Sequence, residues 1–442
     1  MNRKSKHIVI VGGGYVGMYT GLRLQRSLRR ELRDGSVHIT IIDPQSYMTY
    51  QPFLPEAAAG NISPRHVVAP LRRILPKVRI LNGKVSKVHH EARILTFEPA
   101  VGQSREIEYD VIVMAAGSIS RTLPIPGLED AAIGFKTVGE AIALRNRVLG
   151  LLDRAESSND EDVRRRALTF VVVGGGFAGI EALAELEDMT RDAVKYYPSI
   201  DTKDLRWVLI EASDRILPEV GPEMGQWTAV ELRERGIELK MKTFLQSCVG
   251  GLVKTSDGDE FESATIVWTA GVKPSVIVNA SDLPVDERGR VMTTTKLTVT
   301  GVKDAFAAGD IAGVPDVTNP GKYCAPNAQH AVRQAKVLAD NITAYLRDEP
   351  LKEYRHKYVG SVAGLGLHRG VANVYGVKLR GIPAWFMHRT YHLSRVPTVN
   401  RKVRVMADWT LSLFFKRETI SLGEIENPRQ EFRAAAESGR KR

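Results

Sequence analysis

Residues 7–17 read HIVIVGGGYVG, and this stretch decides the fold. The apolar, β-branched run HIVIV predicts a buried parallel strand, and the glycines predict a tight turn into a helix that reaches about Arg33. A second apolar strand, His38–Ile42, then ends in Asp43. Strand, helix and strand in this order form a βαβ unit of the kind that binds dinucleotides.

The three glycines of this turn have separate tasks. Gly12 permits the tight turn, Gly14 lets the backbone approach a pyrophosphate, and Gly17 lets helix and sheet pack closely. Free N–H groups at the start of the helix would hold the phosphates. Asp43 follows Gly17 by 26 residues, because of an extra charged turn at 29–34, and can accept hydrogen bonds from a ribose. We therefore predict a dinucleotide site rather than a glycine-rich turn without a ligand.

The same pattern recurs in the middle of the chain. Its parts are a strand at Thr169–Val173, the glycines Gly174, Gly176 and Gly179, a helix from Ile180 to about Tyr196, and a strand at Arg206–Ile210. Glu211 ends the second strand, where its carboxylate would bond the ribose hydroxyls and repel a 2′-phosphate. The sequence therefore predicts a second dinucleotide site that prefers NADH to NADPH.

Glu181 lies in the first turn of this second predicted helix. It is a candidate catalytic residue beside the nicotinamide. The alternative is structural, since a carboxylate is also favourable at the N-terminus of a helix. Both interpretations stay open at the level of sequence.

Composition narrows the remaining possibilities. The 442 residues carry a formal charge of +11, and 43% of them are hydrophobic, which is ordinary for a globular enzyme. No signal-peptide core and no apolar run long enough to span a bilayer is present. The two cysteines, Cys248 and Cys324, form no C-x-x-C, so neither a metal site nor a vicinal redox disulfide is expected.

The positive charge is concentrated near the C-terminus. Eight basic residues and one acid, Asp408, lie between residues 380 and 417; the basic residues are Arg380, Arg389, Arg395, Arg401, Lys402, Arg404, Lys416 and Arg417. A helix predicted from about Val403 to Phe415 would carry an apolar face of Val405, Met406, Trp409 and Leu413. This favours contact with an anionic membrane surface; the alternatives are packing on the protein's own core or on a second subunit, hence a homodimer. Nucleic acid is not expected as a partner.

With two dinucleotide sites identified, the chain resembles the flavoprotein reductases that have two dinucleotide-binding domains. The resemblance rests on three further segments: Gly309-Asp310 within FAAGDIA, Ala115-Ala116-Gly117, and Thr269-Ala270-Gly271. It implies that the first site holds FAD, with Asp310 on the ribityl chain of the flavin, and that Ala116, Gly117 and Gly271 lie on crossover strands beside the cofactors.

Within this group the chain is similar to type II NADH dehydrogenases, the non-pumping NADH:quinone oxidoreductases. Three stretches carry the similarity: Gln51–Gly60 (QPFLPEAAAG), Ala325–Ala331 (APNAQHA), and Pro383–Leu422. They are similar to the family's segment beside the flavin ring, which includes Gln51, to its quinone-facing stretch, and to its membrane-contacting region. The chain departs from the family at Arg333, which replaces a second glutamine, and at Val359, which replaces a lysine.

Gln329 is the residue that the resemblance places opposite the quinone, and we name it as a candidate catalytic residue. The alternative is an amide near a helix N-terminus that satisfies backbone groups. His330 is adjacent but would point about 100° away on a helix, so it is not chosen as a proton donor.

The resemblance implies an α/β fold with two Rossmann-like domains, of the glutathione-reductase-like kind, and a C-terminal membrane-associating region. The predicted segments are 1–150 and 286–350 for FAD, 165–285 for NADH, and 351–442 for the C-terminal region. The implied function is NADH:quinone oxidoreduction through FAD, in a peripheral protein on the cytoplasmic side of the membrane. Alternatives are a sulfide:quinone oxidoreductase, another acceptor-reducing flavoprotein of the superfamily, or a redox-sensing NADH-binding flavoprotein.

Overall fold

The computed structural model describes residues 5–357, 359–415, 417–421 and 433. Lys416 of the basic group, and Leu422 at the end of the predicted membrane-contacting stretch, lie outside the described residues. The strands are, in chain order, β1 Lys6–Val11, β2 Val37–Asp43, β3 Tyr47–Thr49, β4 Val68–Pro70, β5 Arg79–His89, β6 Ile94–Pro99, β7 Arg105–Glu108, β8 Val111–Met114, β9 Ser118–Ser120, β10 Ala132–Gly134, β11 Thr169–Val173, β12 Arg206–Glu211, β13 Glu238–Met241, β14 Leu245–Ser247, β15 Leu252–Thr255, β16 Glu260–Glu262, β17 Thr265–Trp268, β18 Val272–Pro274, β19 Val291–Met292, β20 Ala305–Ala307, β21 Ala312–Gly313, β22 Gly360–Gly364, β23 Gly370–Val374 and β24 Val377–Arg380.

The helices are, in chain order, α1 Tyr15–Ser27, α2 Arg29–Asp34, α3 Leu54–Ala58, α4 Leu71–Ile74, α5 Leu128–Ala131, α6 Val138–Ser157, α7 Glu161–Ala167, α8 Phe177–Ala193, α9 Pro222–Glu234, α10 Ala328–Leu346, α11 Gly381–Arg395 and α12 Val399–Phe414. None of these described helices is long and apolar enough to cross a membrane.

The chain forms two compact units. Unit 1 comprises the described residues of Met1–Thr49, Val68–Ile119 and Val272–Tyr358, and unit 2 those of Tyr50–Val67, Ser120–Gly271 and Val359–Arg442. Each unit contains one of the two predicted βαβ patterns, so the prediction of two Rossmann-like folds is confirmed.

Unit 1 is built on a seven-stranded sheet in the order β20-β8-β1-β2-β5-β6-β7. The strands from β20 to β5 are parallel, and β6 and β7 add an antiparallel extension. β1 is central, with Ile10 paired to both Ile41 and Val113. These side chains are fully buried, which explains why the run HIVIV is apolar without alternation. Helices α1 and α10 pack against each other.

Unit 2 is built on a parallel five-stranded sheet in the order β10-β17-β11-β12-β13. Val171 of the central strand β11 pairs with Val208 and Ile266. Two antiparallel three-stranded sheets accompany it, β14-β15-β16 and β22-β23-β24. Asp257-Gly258 forms a hairpin turn, across which β15 and β16 pair antiparallel, and Gly258 has a φ of +91°.

The helices differ in detail from the prediction. The first helix is interrupted at Leu28, a buried residue with φ −103° and ψ 31°, so that α1 and α2 replace one continuous helix to Arg33. The C-terminal helix begins at Val399, before the predicted start at Val403. The cause is a cap, since the Thr398 hydroxyl accepts a hydrogen bond from the Arg401 N–H.

The unit boundaries also differ from the predicted segments 1–150, 165–285, 286–350 and 351–442. The chain passes from unit 1 to unit 2 after Ile119, because β10 joins the sheet of unit 2 by pairing with β17. Residues 50–67 group with unit 2, because α3 packs on α6 and α8. The C-terminal region also belongs to unit 2, where β22 packs on α8.

Candidate functional site

The first glycine turn combines tight packing with one open position. Gly12 has a φ of +106°, and a Cβ on Gly17 would lie 1.8 Å from the carbonyl oxygen of Gly12. By contrast, a Cβ on Gly14 would meet no atom within 4 Å. Gly14 is the N-cap of α1, beside the unpaired N–H groups of the first turn. The chain itself therefore leaves room at Gly14, as the approach of a pyrophosphate requires.

Asp43 holds this turn in place. Its Oδ2 accepts a hydrogen bond from the Gly13 N–H at 2.6 Å, and its Oδ1 accepts one from the Gln45 N–H at 2.6 Å. Burial raises the pKa of Asp43 despite these two bonds, which act in the opposite direction. Contact of Asp43 with a ribose stays a prediction, because its observed partners are backbone groups.

The remaining predicted FAD residues of unit 1 lie at the same edge of its sheet. Ala116 and Gly117 follow β8, and Gly309 follows β20, the neighbouring parallel strand. The Ser118 hydroxyl donates to Asp310 Oδ2 at 2.6 Å. The carboxyl ends of β20, β8, β1 and β2 therefore bring these residues and the glycine turn to one edge, where α/β proteins bind ligands.

The second glycine turn, in unit 2, repeats the contacts of the first. A Cβ on Gly179 would lie 2.0 Å from the Gly174 carbonyl oxygen, whereas one on Gly176 would meet nothing within 4 Å. Glu211 Oε2 accepts from the Gly175 N–H at 2.5 Å, and Oε1 accepts from the Ser213 N–H at 2.7 Å. Gly271 follows β17, the strand beside β11.

Gln51 lies in unit 2, in a 3₁₀ turn over Gln51–Phe53. Its side-chain amide donates to the Lys136 carbonyl oxygen at 3.2 Å. The family resemblance placed Gln51 among the FAD-binding residues, but Gln51 belongs to unit 2, which contains the second glycine turn. Contact of Gln51 with a flavin stays a prediction.

Glu181 is buried and engaged with the C-terminal region of unit 2. Its Oε1 accepts a hydrogen bond from the Gly364 N–H at 2.9 Å and lies 3.2 Å from His388 Nε2. Burial by itself lowers the pKa of His388, but the carboxylates of Glu181, Glu56 and Glu185 outweigh it, and the pKa is raised. The structural alternative for Glu181 thus has observed partners, and its place beside a nicotinamide stays a prediction.

A buried ion pair was missed at the sequence level. Arg389 donates to Glu56 Oε2 at 2.9 Å, and the Trp409 indole N–H donates to the same oxygen at 2.8 Å. The guanidinium also lies 4.2 Å from the ring centre of Trp385 and 4.7 Å from that of Trp409. In the sequence, this ion pair was indicated only by Glu56, a single acid within the apolar segment Leu54–Ala59.

Some of the C-terminal basic residues are therefore engaged in ion pairs within unit 2. Arg389 is 6% exposed and Arg417 pairs with Asp188 at 2.9 Å, whereas Arg380 stays exposed while it pairs with Glu223 at 2.7 Å. Contact of the other basic residues with an anionic membrane stays a prediction, whereas Arg389 and Arg417 are partners of acids inside unit 2. The physical reason is that buried carboxylates require cationic partners, and this segment supplies them.

The predicted apolar face of α12 is divided. Val405 is fully buried and the ring of Trp409 packs on Phe53, whereas Met406 and Leu413 are 49% and 70% exposed. These four positions span about 100° of the helix circumference, so only one edge can face the protein. The outer edge continues into an exposed stripe formed by Val399, Val403, Met406, Leu413 and Phe414.

Gln329 is half-buried near the start of α10, and Asn327, not Gln329, caps this helix by accepting from the His330 N–H at 2.8 Å. The Gln329 side-chain oxygen lies 3.2 Å from His356 Nε2. Burial, with nearby Arg333 and His330, lowers the pKa of His356 to about 4. His330 is buried and its Nδ1 lies 2.8 Å from the Tyr354 hydroxyl. Neither Tyr354 nor His356 was selected from the sequence, because no local motif marks them.

Gln334, next to the departure at Arg333, has a definite role. Its side-chain oxygen accepts a hydrogen bond from the Gly309 N–H at 2.8 Å, and Gln334 is 1% exposed. This bond ties α10 to the Gly309-Asp310 turn. The helix that carries Gln329 is thereby fixed to a predicted FAD-binding segment.

Both cysteines are buried and free. Cys248 lies in the apolar core of unit 2 beside Val171 and Ile266. Burial, with the charge of Asp316, raises the pKa of Cys324 to about 11, and burial raises that of Cys248. Both are therefore protonated thiols at neutral pH, which are poor nucleophiles. Within the described residues, no group of three or more potential metal ligands is found.

Comparison with known proteins agrees with this geometry. Residues 6–335 match the family model of pyridine nucleotide-disulphide oxidoreductases. The type II NADH:quinone oxidoreductase of Mycobacterium tuberculosis is 29% identical over 425 residues, which is 93% of this chain and 88% of that protein. The predicted resemblance to type II NADH dehydrogenases is confirmed.

Solved structures with the same fold include NDH2 from Plasmodium falciparum in complex with NADH. Its TM-score is 0.87 at 17% identity, over 94% of this chain and 100% of that one. The sulfide:quinone oxidoreductase of Aquifex aeolicus has a TM-score of 0.69 at 17% identity, over 94% of this chain and 96% of that one. From its two glycine turns and the match over residues 6–335, the chain belongs to the pyridine nucleotide-disulphide oxidoreductase family.

Proposed function

We propose that this protein is an FAD-dependent NADH:quinone oxidoreductase of the type II, non-proton-pumping kind. One observation carries the proposal: two turns of matching geometry, each with an open central glycine, lie in two Rossmann-like units of a chain whose relatives carry this name. Two dinucleotide sites allow one cofactor to stay bound while the other is exchanged as a substrate.

We assign FAD to the turn of unit 1 and NADH to the turn of unit 2. The assignment of FAD rests on Asp310, whose carboxylate is oriented by the Ser118 hydroxyl at the edge of the sheet. The assignment of NADH rests on Glu211, whose charge disfavours a 2′-phosphate. Ala212 and Ser213, and no arginine, follow it directly.

When bound, FAD supplies the redox chemistry, accepting a hydride equivalent from NADH and returning two electrons to the acceptor. The chain supplies binding and orientation. Gly14 and Gly176 leave space for pyrophosphates, and α1 and α8 direct N–H groups at them. Gln329 is proposed to hydrogen-bond a quinone carbonyl.

For α12 we propose contact with an anionic membrane surface, which makes the protein peripheral at the cytoplasmic face, where NADH is available. The exposed stripe on α12 supports it, together with Ile382 and Phe386 on α11, which are 63% and 62% exposed. An apolar stripe with basic neighbours is typical of helices that lie in the membrane interface, and quinones dissolve in the same membrane. A second copy of the chain is the alternative occupant.

Membrane contact is tested by co-sedimentation with anionic vesicles at low salt. The wild type should sediment, and the double variant V403D/F414D should stay in solution. F244D is the matched control, because Phe244 is 59% exposed on another part of unit 2. A wild type that stays in solution but elutes as a dimer would assign the stripe to a second copy.

The function is tested by anaerobic reduction with NADH, followed by stopped-flow reoxidation with a panel of quinones. Fast reoxidation by quinones is expected. A long-lived reduced form with every quinone would instead favour a redox sensor. For the sulfide:quinone alternative, Cys324→Ser should leave NADH-driven turnover within about twofold, because a buried, protonated thiol is no redox relay.

A further inference from the structure

A group of buried or half-buried ionisable side chains in unit 2 is not explained by nucleotide binding alone. It joins the helix of the second glycine turn, α8, to α3 and to the C-terminal helix α11. The carboxylates are Glu56 on α3 with Glu181 and Glu185 on α8, each at most 8% exposed, and the bases are Arg389, His388 and His392 on α11. We call these six residues the α8–α11 cluster.

The charges of the α8–α11 cluster determine how many protons it holds. Among these six residues, three are carboxylates and only Arg389 is a permanent cation. Arg417 adds no net charge, because its partner Asp188 also lies outside the cluster. Buried net charge is strongly unfavourable, so the cluster approaches neutrality only by binding two protons. Burial and the neighbouring Glu56 raise the pKa of Glu185 to about 7, which accounts for one of them.

His388 is the base that can hold the other proton. Its Nε2 lies 3.2 Å from Glu181 Oε1, an ion-pair distance without the alignment of a hydrogen bond. Its ring also packs beside Gly364, since a Cβ on that residue would lie in van der Waals contact at 3.4 Å. His392, 4.6 Å from His388 between ring centres, is kept neutral because burial and the His388 charge lower its pKa well below the usual value.

We propose that His388 is a positioning residue of the second nucleotide site, which as an imidazolium holds the carboxylate of Glu181 at the first turn of α8. The C-terminal helix α11 thereby sets the geometry and charge of the helix that binds NADH. The inference rests on the proposed function, because it takes the second site to be the NADH site.

The pH dependence follows from the raised pKa of His388. The ion pair is complete below the unfolded-state pKa of about 6.5, and it is lost as the pH rises through the higher folded-state pKa. The groups that face His388 are Glu181 and Glu185 from α8, Glu56 from α3 and His392 from α11 itself. NADH affinity should therefore weaken towards alkaline pH in the wild type.

The test measures NADH binding by calorimetry and thermal unfolding of the FAD-loaded protein from pH 6 to 9. His388→Gln should weaken NADH binding about tenfold at pH 7 and remove the alkaline weakening. His392→Gln, on the same helix but neutral already, is the matched control and should stay within about twofold of the wild type. A general loss of stability in His388→Gln would give a different result, because NADH binding would still weaken towards alkaline pH.

Glu181→Gln removes the same ion pair from the other side and serves if His388→Gln does not fold. If His388 acts through Glu181, the double variant should bind NADH no worse than Glu181→Gln alone. Additive losses, or a His388→Gln protein with wild-type affinity and pH dependence, would overturn the inference. A wild type that binds NADH with this pH dependence but reduces no quinone would instead refute the proposed function and leave the inference intact.

Discussion

The two glycine turns are built alike, but the helices that follow them are used differently. In each turn a carboxylate, Asp43 or Glu211, accepts a hydrogen bond from the N–H of the glycine that follows the first one of the motif. Beyond the turn, α1 buries uncharged residues such as Met18 and Leu24. Helix α8 instead buries three glutamates, Glu181, Glu185 and Glu187.

This difference shows that a shared turn does not imply a shared environment. Helix α1 packs on α10, where its charged contact is an exposed pair between Arg23 and Asp340. Helix α8 is enclosed by α3, α6 and β22, so its carboxylates require buried partners such as His388 and, for Glu187, Arg235. The two turns share their backbone geometry, and the buried side of each helix determines which other segments contact it.

The largest effect is expected from adding a methyl group at the third glycine of either turn. Gly17→Ala should yield protein without FAD and with a lowered unfolding temperature, because the Cβ would overlap the Gly12 carbonyl. Gly179→Ala should keep FAD and lose NADH binding. Flavin absorbance and NADH titration measure the two outcomes. Gly139→Ala is the control, since the nearest atom to its Cβ lies 3.9 Å away.

A second pair of variants separates ligand binding from folding. Gly14→Val and Gly176→Val place a side chain where the protein has open space. We expect FAD affinity and NADH affinity, respectively, to fall by at least about tenfold, while the unfolding temperature without ligand changes little. Unchanged affinity in both variants would contradict the assignment of these turns to pyrophosphates.

The acid that ends the second strand should control cofactor choice only in unit 2. Wild-type kcat/KM should be far lower for NADPH than for NADH. Glu211→Gln should raise the NADPH to NADH ratio about tenfold, because it removes the charge and keeps an acceptor for the Gly175 N–H. Asp43→Asn is the matched variant in unit 1 and should leave the ratio unchanged. Equal use of both cofactors by the wild type would refute this role.

The smallest effect concerns pH and stability. Because the folded-state pKa of Glu185 is about 7, well above its ordinary value, the folded protein holds an extra proton and loses stability as the pH rises through 7. Glu185→Gln should make the unfolding temperature less dependent on pH between 5 and 8. Glu98→Gln is the control, because the Glu98 side chain on β6 of unit 1 is 36% exposed. An unchanged slope would show that Glu185 is ionised at neutral pH.

Local sequence was sufficient for both glycine turns, because each strand, turn and helix is encoded within one continuous segment, Lys6–Ser27 or Thr169–Ala193. The carboxylates Asp43 and Glu211 were also predictable, since parallel strands end at a common edge. The sequence did not reveal that each carboxylate bonds the backbone of its own turn, because such a contact joins residues about 30 positions apart.

Only the tertiary structure decided the surroundings of α8 and of the C-terminal region. Arg389, Trp409 and His388 resemble surface and membrane residues in the sequence, yet they are partners of Glu56 and Glu181, which lie more than 200 residues earlier in the chain. The physical reason is that a charge pattern along the chain does not state which charges are buried. Burial depends on which distant segments pack together, and buried carboxylates then select their cationic partners.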